Sequence, residues 1–255
     1  MFASNAAVPK ARRQTLYFLE KARENCPVYL STAVDMRAVK THRDQAGETL
    51  SYISYLIFVI ARVLTEIPAA NFTAAGFFWP RLVPNKQIDA KFTLDKTING
   101  TRAVVSTVLK HADNLSLREI QQTINYYRDT PFDDIKEFSK LRLLQRLPMP
   151  IGRWLYNRLF ASVRQRQMLQ GSFTVTSLGK SSIQLFLPMT SSTLAFGVGS
   201  ILQQPVWENS QWQSCPQLTL SMVFDHRVID GALAAELLER VKTQLENFST
   251  LNSAN

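Results

Sequence analysis

The sequence predicts an α/β or α+β fold, a mixed β-sheet packed with helices, on three observations. Stretches with apolar residues at helical spacing alternate along the chain with stretches of two-residue alternation. One pair of alternating stretches meets at Asn99-Gly100, a dipeptide that accepts the positive φ angles of a tight hairpin turn. And 255 residues, 45% apolar and 10% aromatic, suffice to bury a full core. No internal repeat, low-complexity tract or glycine/serine linker divides them, so the economical expectation is one domain over residues 1–255.

Taken in order, "RRQTLYFLEKAREN" reads as an opening helix and "PVYLSTAVDM" as a strand. "LSYISYLIFVIARVLTEIP" is the most apolar window. Its uninterrupted apolar part is too short for a bilayer, Arg62 and Glu66 close it and Pro68 stops it, so a buried core helix is expected. "FTLDKTING" and "TRAVVSTVLK" form the hairpin. "SLREI" starts a helix in which Ser116 and Glu119 complete a capping box. Residues 131–170 read as a basic helical insert, two amphipathic helices broken at Pro148-Met149-Pro150. After Gly171 come the strands "SFTVTSLG" and "STLAFGVGSI". Last is "LTLSMVFDHRVIDGALAAELLERV", where the period changes from two to that of a helix after Gly231.

The formal charge of +9 favours an acidic partner and by itself chooses none. From Phe138 to Gln170 there are seven Lys/Arg and no Asp or Glu, so much of the surplus sits in the insert. That segment is either a pair of solvated helices or a docking face for something anionic or amphipathic, with Arg142, Arg146, Arg153 and Trp154 as docking residues. Peripheral membrane contact is confined to Trp154, Leu155, Leu159 and Phe160. No module that interleaves aromatic and basic residues points to nucleic acid. Cys26 and Cys215 have no metal or redox spacing, are expected to be packing residues, and fit a reducing, cytoplasmic compartment. "MFASNAAVPKARRQ" is basic and has no apolar h-region, so a signal peptide is not expected.

Three histidines are candidates for proton chemistry. His42, in "VKTHRDQAGE", and His111, in "LKHADN", are expected on the surface. His226 stands where a strand gives way to a helix, at the lip of a sheet. Asp230 follows four residues later and either orients the turn around a general base or caps the helix. Gly231 lets the backbone turn tightly. No GxSxG, phosphate-cradling glycine loop, HExxH or Cys/His metal pattern competes, and no metal is expected. One placed base suits deprotonation of a thiol, hydroxyl or amine that attacks a carbonyl. The resulting oxyanion needs a donor, for which "FTVTSLG" offers Thr174, Thr176 and Ser177.

"LSMVFDHRVIDGALAAELL" closely resembles the C-terminal motif of the acyltransferase catalytic domain of the 2-oxoacid dehydrogenase complexes, a fold shared with chloramphenicol acetyltransferase. Both carry His-x-x-x-Asp-Gly, here His226, Asp230 and Gly231. "VYLSTAVDM", "LSYISYLIFVIARVLTEIPAAN", "IDAKFTLDKTINGTRAVVSTVLKHADNLSLREI", "GSFTVTSLG" and "STLAFGVGSI" resemble family blocks in the same order, over roughly residues 10–248. The resemblance implies a chloramphenicol acetyltransferase-like two-layer fold, a homotrimer with sites between subunits, and His226 as general base. It implies Thr176, or else Ser177, as oxyanion donor, and an arginine near the start, Arg12 or Arg13, holding Asp230. Coenzyme A is the implied thiol cofactor, with phosphopantetheine on an acidic acyl carrier protein as the other donor form. The family's multidomain members place a lipoyl domain and a subunit-binding domain first, whereas this sequence opens almost at the catalytic blocks, which implies a stand-alone member. Two departures are the long basic insert and "PMTSST", which stands where the family has an Asn-Pro-Pro turn. The function expected is acyl transfer from a thioester. The alternative is a non-catalytic trimeric scaffold that keeps the fold.

Overall fold

The computed structural model describes residues 7–47, 49–76, 78–98, 100–178 and 181–248. Helix α1 (Arg13–Ala22) leads into strand β1 (Pro27–Asp35), α2 (Arg37–Gln45) and α3 (Tyr52–Glu66). Strands β2 (Phe72–Ala75), β3 (Arg81–Pro84), β4 (Ala90–Ile98) and β5 (Thr101–Leu109) follow, then α4 (Leu117–Asp129). The insert carries α5 (Ser139–Arg146), α6 (Met149–Ala161) and α7 (Val163–Gln170). The chain closes with β6 (Phe173–Ser177), β7 (Leu194–Glu208), β8 (Gln211–Asp225) and α8 (Gly231–Glu246).

A six-stranded sheet in the order β1-β8-β7-β6-β4-β5 organises the molecule, and β2 and β3 pair separately. β6 runs parallel to both β4 and β7, and the other pairings are antiparallel, so the sheet is mixed. One face is apolar. Val175, Phe196 and Met222 lie side by side across three strands and are fully or almost fully buried, as are Leu218, Leu220 and Phe224. Helix α3 is apolar nearly all round because it is buried nearly all round: Tyr55 through Ala61 are each covered. Leu237, Leu238, Val241 and Leu245 of α8 complete that layer. The capping box of α4 forms as its sequence predicts, Ser116 Oγ accepting from the Glu119 amide and Glu119 accepting from the Ser116 amide.

Four expectations need correction. The insert holds three helices, because Ser162 in an extended conformation ends α6 and caps α7, its Oγ accepting from the Gln165 amide. "VKTHRDQAGE" is largely helical: His42 lies on α2, half-buried, its Nδ1 2.8 Å from the Tyr55 hydroxyl and its ring edge-on to Phe248. Burial there lowers its pKa. Cys26 is exposed, whereas Cys215 is buried and its thiol is pushed up to about 11 by desolvation. Strands β7 and β8 reach far beyond "STLAFGVGSI", forming a long hairpin closed at Asn209 and Ser210, both at positive φ. In the predicted β4–β5 turn Gly100 has φ 73°, while Asn99 lies outside the described residues. His111 is exposed, as expected.

Candidate active site

The turn Asp225–Gly231 begins where β8 runs out beside the start of β1, Asp225 standing in register with Pro27. The His226 amide donates to the Cys26 carbonyl at 2.8 Å and the Val228 amide to the Asp225 carbonyl at 2.9 Å. The side chain of Asp225 is 5% exposed and lies in a fork: Arg227 Nε donates to Oδ1 at 2.9 Å and Nη2 to Oδ2 at 2.5 Å. The same carboxylate accepts from the Cys26 and Arg227 amides. Arg227 also donates to Asn25 Oδ1, so it ties β8 to the loop before β1, and the carboxylate raises its pKa. This pair of a buried carboxylate and an exposed guanidinium fixes the backbone on both sides of His226, whose residue is exposed and whose ring is 5.7 Å from the Phe224 ring. Neither Asp225 nor Arg227 is among the candidates the sequence offers, although their i, i+2 spacing across the histidine is a legible signal.

Asp230 is the N-cap of α8, its Oδ1 accepting from the Leu233 amide at 2.9 Å. Among the described residues, no arginine clamp on Asp230 is formed within the chain. Arg13, at the start of α1, donates instead to the carbonyls of Gln145 and Leu147, which α5 leaves open at its C-terminal end. Arg12 is exposed. Among the described residues, no group of three or more His, Cys, Asp or Glu side chains is placed to hold a metal.

Thr176 and Ser177 end β6, half-buried, with Thr176 Oγ1 accepting from Thr93 Oγ1 at 2.8 Å. Thr174, two residues earlier on the same strand face, is buried against Ser192 Oγ at 2.9 Å. Thr176 is level with Gly197 and Ser221, whereas His226 lies five residues beyond Ser221 and two strands across. At about 3.3 Å per residue and about 4.8 Å per strand, the two side chains are roughly 15–20 Å apart within one chain. The structure therefore does not bring His226 and Thr176 together in a single copy. The docking residues also divide. Arg142 turns inward and donates to the Phe132 and Ile135 carbonyls, with its guanidinium carbon 6.0 Å from the Phe132 ring centroid. Arg146 is exposed, Arg153 pairs with Glu20 at 2.9 Å and Trp154 is 66% exposed. Of the membrane-facing set, Phe160 is buried and stacks on Tyr156. Among the described residues, no helix is long and apolar enough to cross a membrane.

Comparison with known proteins agrees with this architecture. Residues 160–252 match the family model of the 2-oxoacid dehydrogenases acyltransferase catalytic domain. The dihydrolipoyllysine-residue acetyltransferase component of the pyruvate dehydrogenase complex of Staphylococcus aureus is 24% identical over 250 residues, 94% of this chain and 51% of the relative. The chain thus spans about half the length of that curated relative. A structure of the Azotobacter vinelandii dihydrolipoamide acetyltransferase superposes with a TM-score of 0.73 at 21% identity, covering 98% of this chain and 93% of that one. That structure addresses a serine, a histidine and an asparagine in the catalytic mechanism, the asparagine four residues after the histidine. Chloramphenicol acetyltransferase superposes at 0.50 with 13% identity over 95% of each chain. The acyltransferase fold is therefore established for this chain, as the motif implied.

Proposed function

We propose that the chain is an acyltransferase that moves an acyl group between a thioester and a thiol, hydroxyl or amine, with His226 as general base. The observation that carries this reading is an exposed histidine on a turn whose backbone is fixed on both sides by the buried Asp225 carboxylate and its arginine. The four-residue step from His226 to Asp230 equals the histidine-to-asparagine step of the Azotobacter acetyltransferase, which supports the same placement. His226 takes the proton of the acceptor as its heteroatom attacks the thioester carbonyl. The tetrahedral oxyanion accepts a hydrogen bond from the Thr176 hydroxyl. As it collapses the carbon–sulfur bond breaks, and the departing thiolate receives the proton from His226.

With the two groups some 15–20 Å apart in one chain, the reading requires Thr176 from a neighbouring copy, and a homotrimer supplies it. An exposed apolar stripe supports such a neighbour. Ile183, Leu185, Leu187 and Met189 are 44–50% exposed on an extended segment whose backbone lies over Gly197 and Gly199. Gly197 is level with Thr176, so a copy covering the stripe lies against the hydroxyl. The thioester donor is coenzyme A or a phosphopantetheine carrier, and the exposed Arg146, Arg153 and Trp154 of the insert suit an acidic carrier. Transfer from a panel of acyl thioesters tests the reading. His226→Ala is expected to lose about 10²–10⁴ in rate. A loss of only a few-fold, or no turnover by the native protein alongside tight binding of a protein partner, sinks it in favour of a scaffold.

A further inference from the structure

A small, open, polar cleft lies beside the histidine turn, with Asn25, Thr73, Arg166, Ser191, Asp225 and Arg227 among its walls. A second, smaller cavity, bounded in part by Lys21, Glu24 and Phe160, shares Asn25, Arg166 and Ser191 with it and so lies next to it. Each nearby carboxylate already has its own cation: Asp225 is paired to Arg227 at 2.5 Å and Glu24 to Lys21 at 2.6 Å. Arg166, from the last helix of the insert, is the surplus charge. Its Nη2 donates to the Ala74 carbonyl, but its buried Nε has no hydrogen-bond partner among the described residues. The buried Oγ of Ser191, on the same cleft wall, has none either. Desolvation, and then the nearby Arg227, lower the pKa of Arg166, with Glu24 and Asp225 opposing them only in part.

A buried guanidinium N–H and hydroxyl left unpaired are costly, and such groups ordinarily find a partner. Water can supply the hydrogen bonds, but it does not balance the second arginine. An oxyanion does both: it accepts from Nε and from Oγ, and it stands between two like charges. We propose that this cleft is a binding site for a small oxyanion, a carboxylate or phosphoryl group, held by Arg166 and Ser191 with Arg227 at its rim. Because Asp225 and Arg227 flank His226 in the chain, the anion would sit against the turn that carries the candidate base. The site also gives the insert a defined role, since Arg166 belongs to it. Binding itself does not depend on acyl transfer.

Calorimetry on the full chain tests it, with inorganic phosphate and succinate as probes and chloride at matched ionic strength as control. Saturable binding in roughly the millimolar range is expected for at least one oxyanion. A preference for phosphate or for succinate identifies the group, and either supports the site. Arg166→Gln should weaken binding about tenfold or more, Ser191→Ala less, and Arg164→Gln, on the exposed side of the same helix, not at all. Circular dichroism checks that each variant folds, and Ser191→Ala keeps the test open if Arg166→Gln does not. His226→Ala should bind the anion normally, which separates this site from the acyl-transfer reading. No saturable heat up to about 50 mM, or equal losses in Arg164→Gln and Arg166→Gln, would overturn the proposal and leave the cleft to water.

Discussion

Two inactive variants should restore each other. His226 and Thr176 are roughly 15–20 Å apart in one chain, far beyond the 2.6–3.2 Å or so that a base and its substrate span. If the working site is composite, every site takes its imidazole from one copy and its hydroxyl from the next. His226→Ala alone should lose about 10²–10⁴ in rate, and Thr176→Ala about 10²–10³. In a randomly mixed assembly of equal parts, a site is intact when the histidine comes from a Thr176→Ala subunit and the threonine from a His226→Ala subunit. Each condition is met half the time, so about a quarter of wild-type activity should return in the whole mixture and about a third in trimers that hold both variants, far above either parent. The two variants carry different affinity tags and are co-expressed. Assemblies holding both tags are purified and assayed for acyl transfer. Mixed assemblies that stay at parental activity would refute the reasoning, since the two residues then do not meet at a shared site.

Three further outcomes follow from particular residues. Lys91 is fully buried on β4, and desolvation pushes its pKa down from 10.5 to about 8. Between those values the unfolded chain holds a proton that the folded chain has released. Stability should therefore rise with pH across that window, by up to about 3 kcal/mol, and chemical denaturation of Lys91→Met should lack the slope. A Cβ on Gly197 would come within 2.1 Å of the Phe186 carbonyl oxygen, so Gly197→Ala should displace the apolar stripe and weaken self-association, measured by sedimentation, more than it lowers the melting temperature. Reversing Arg146 and Arg158 to Glu, both exposed on the insert, should slow transfer from an acidic carrier about tenfold while leaving transfer from free coenzyme A unchanged. Equal effects on both donors would remove the docking role.

Much of the scaffold was legible because its determinants are local. The apolar alternation of Leu218, Leu220, Met222 and Phe224 records a sheet face that is buried without exception. Ser116 and Glu119 satisfy each other within a single helical turn. His42 was misplaced because its partners, Tyr55 and Phe248, come from other elements, and a polar stretch such as "VKTHRDQAGE" does not reveal what it packs against. Arg142 failed as a docking residue for the same reason: charge is visible in a sequence, but the carbonyls that consume it are not.

By itself the sequence determined the strand-to-helix turn and its histidine, since spacing of a few residues fixes both, and it left Asp230 between helix cap and orienting group. Only the tertiary structure decided that Asp225 and Arg227 brace that turn, that Arg13 serves α5 rather than Asp230, and that Thr176 sits far along the sheet from His226. These facts depend on strand order and register. Both are set by how distant faces bury one another, and no local period encodes them.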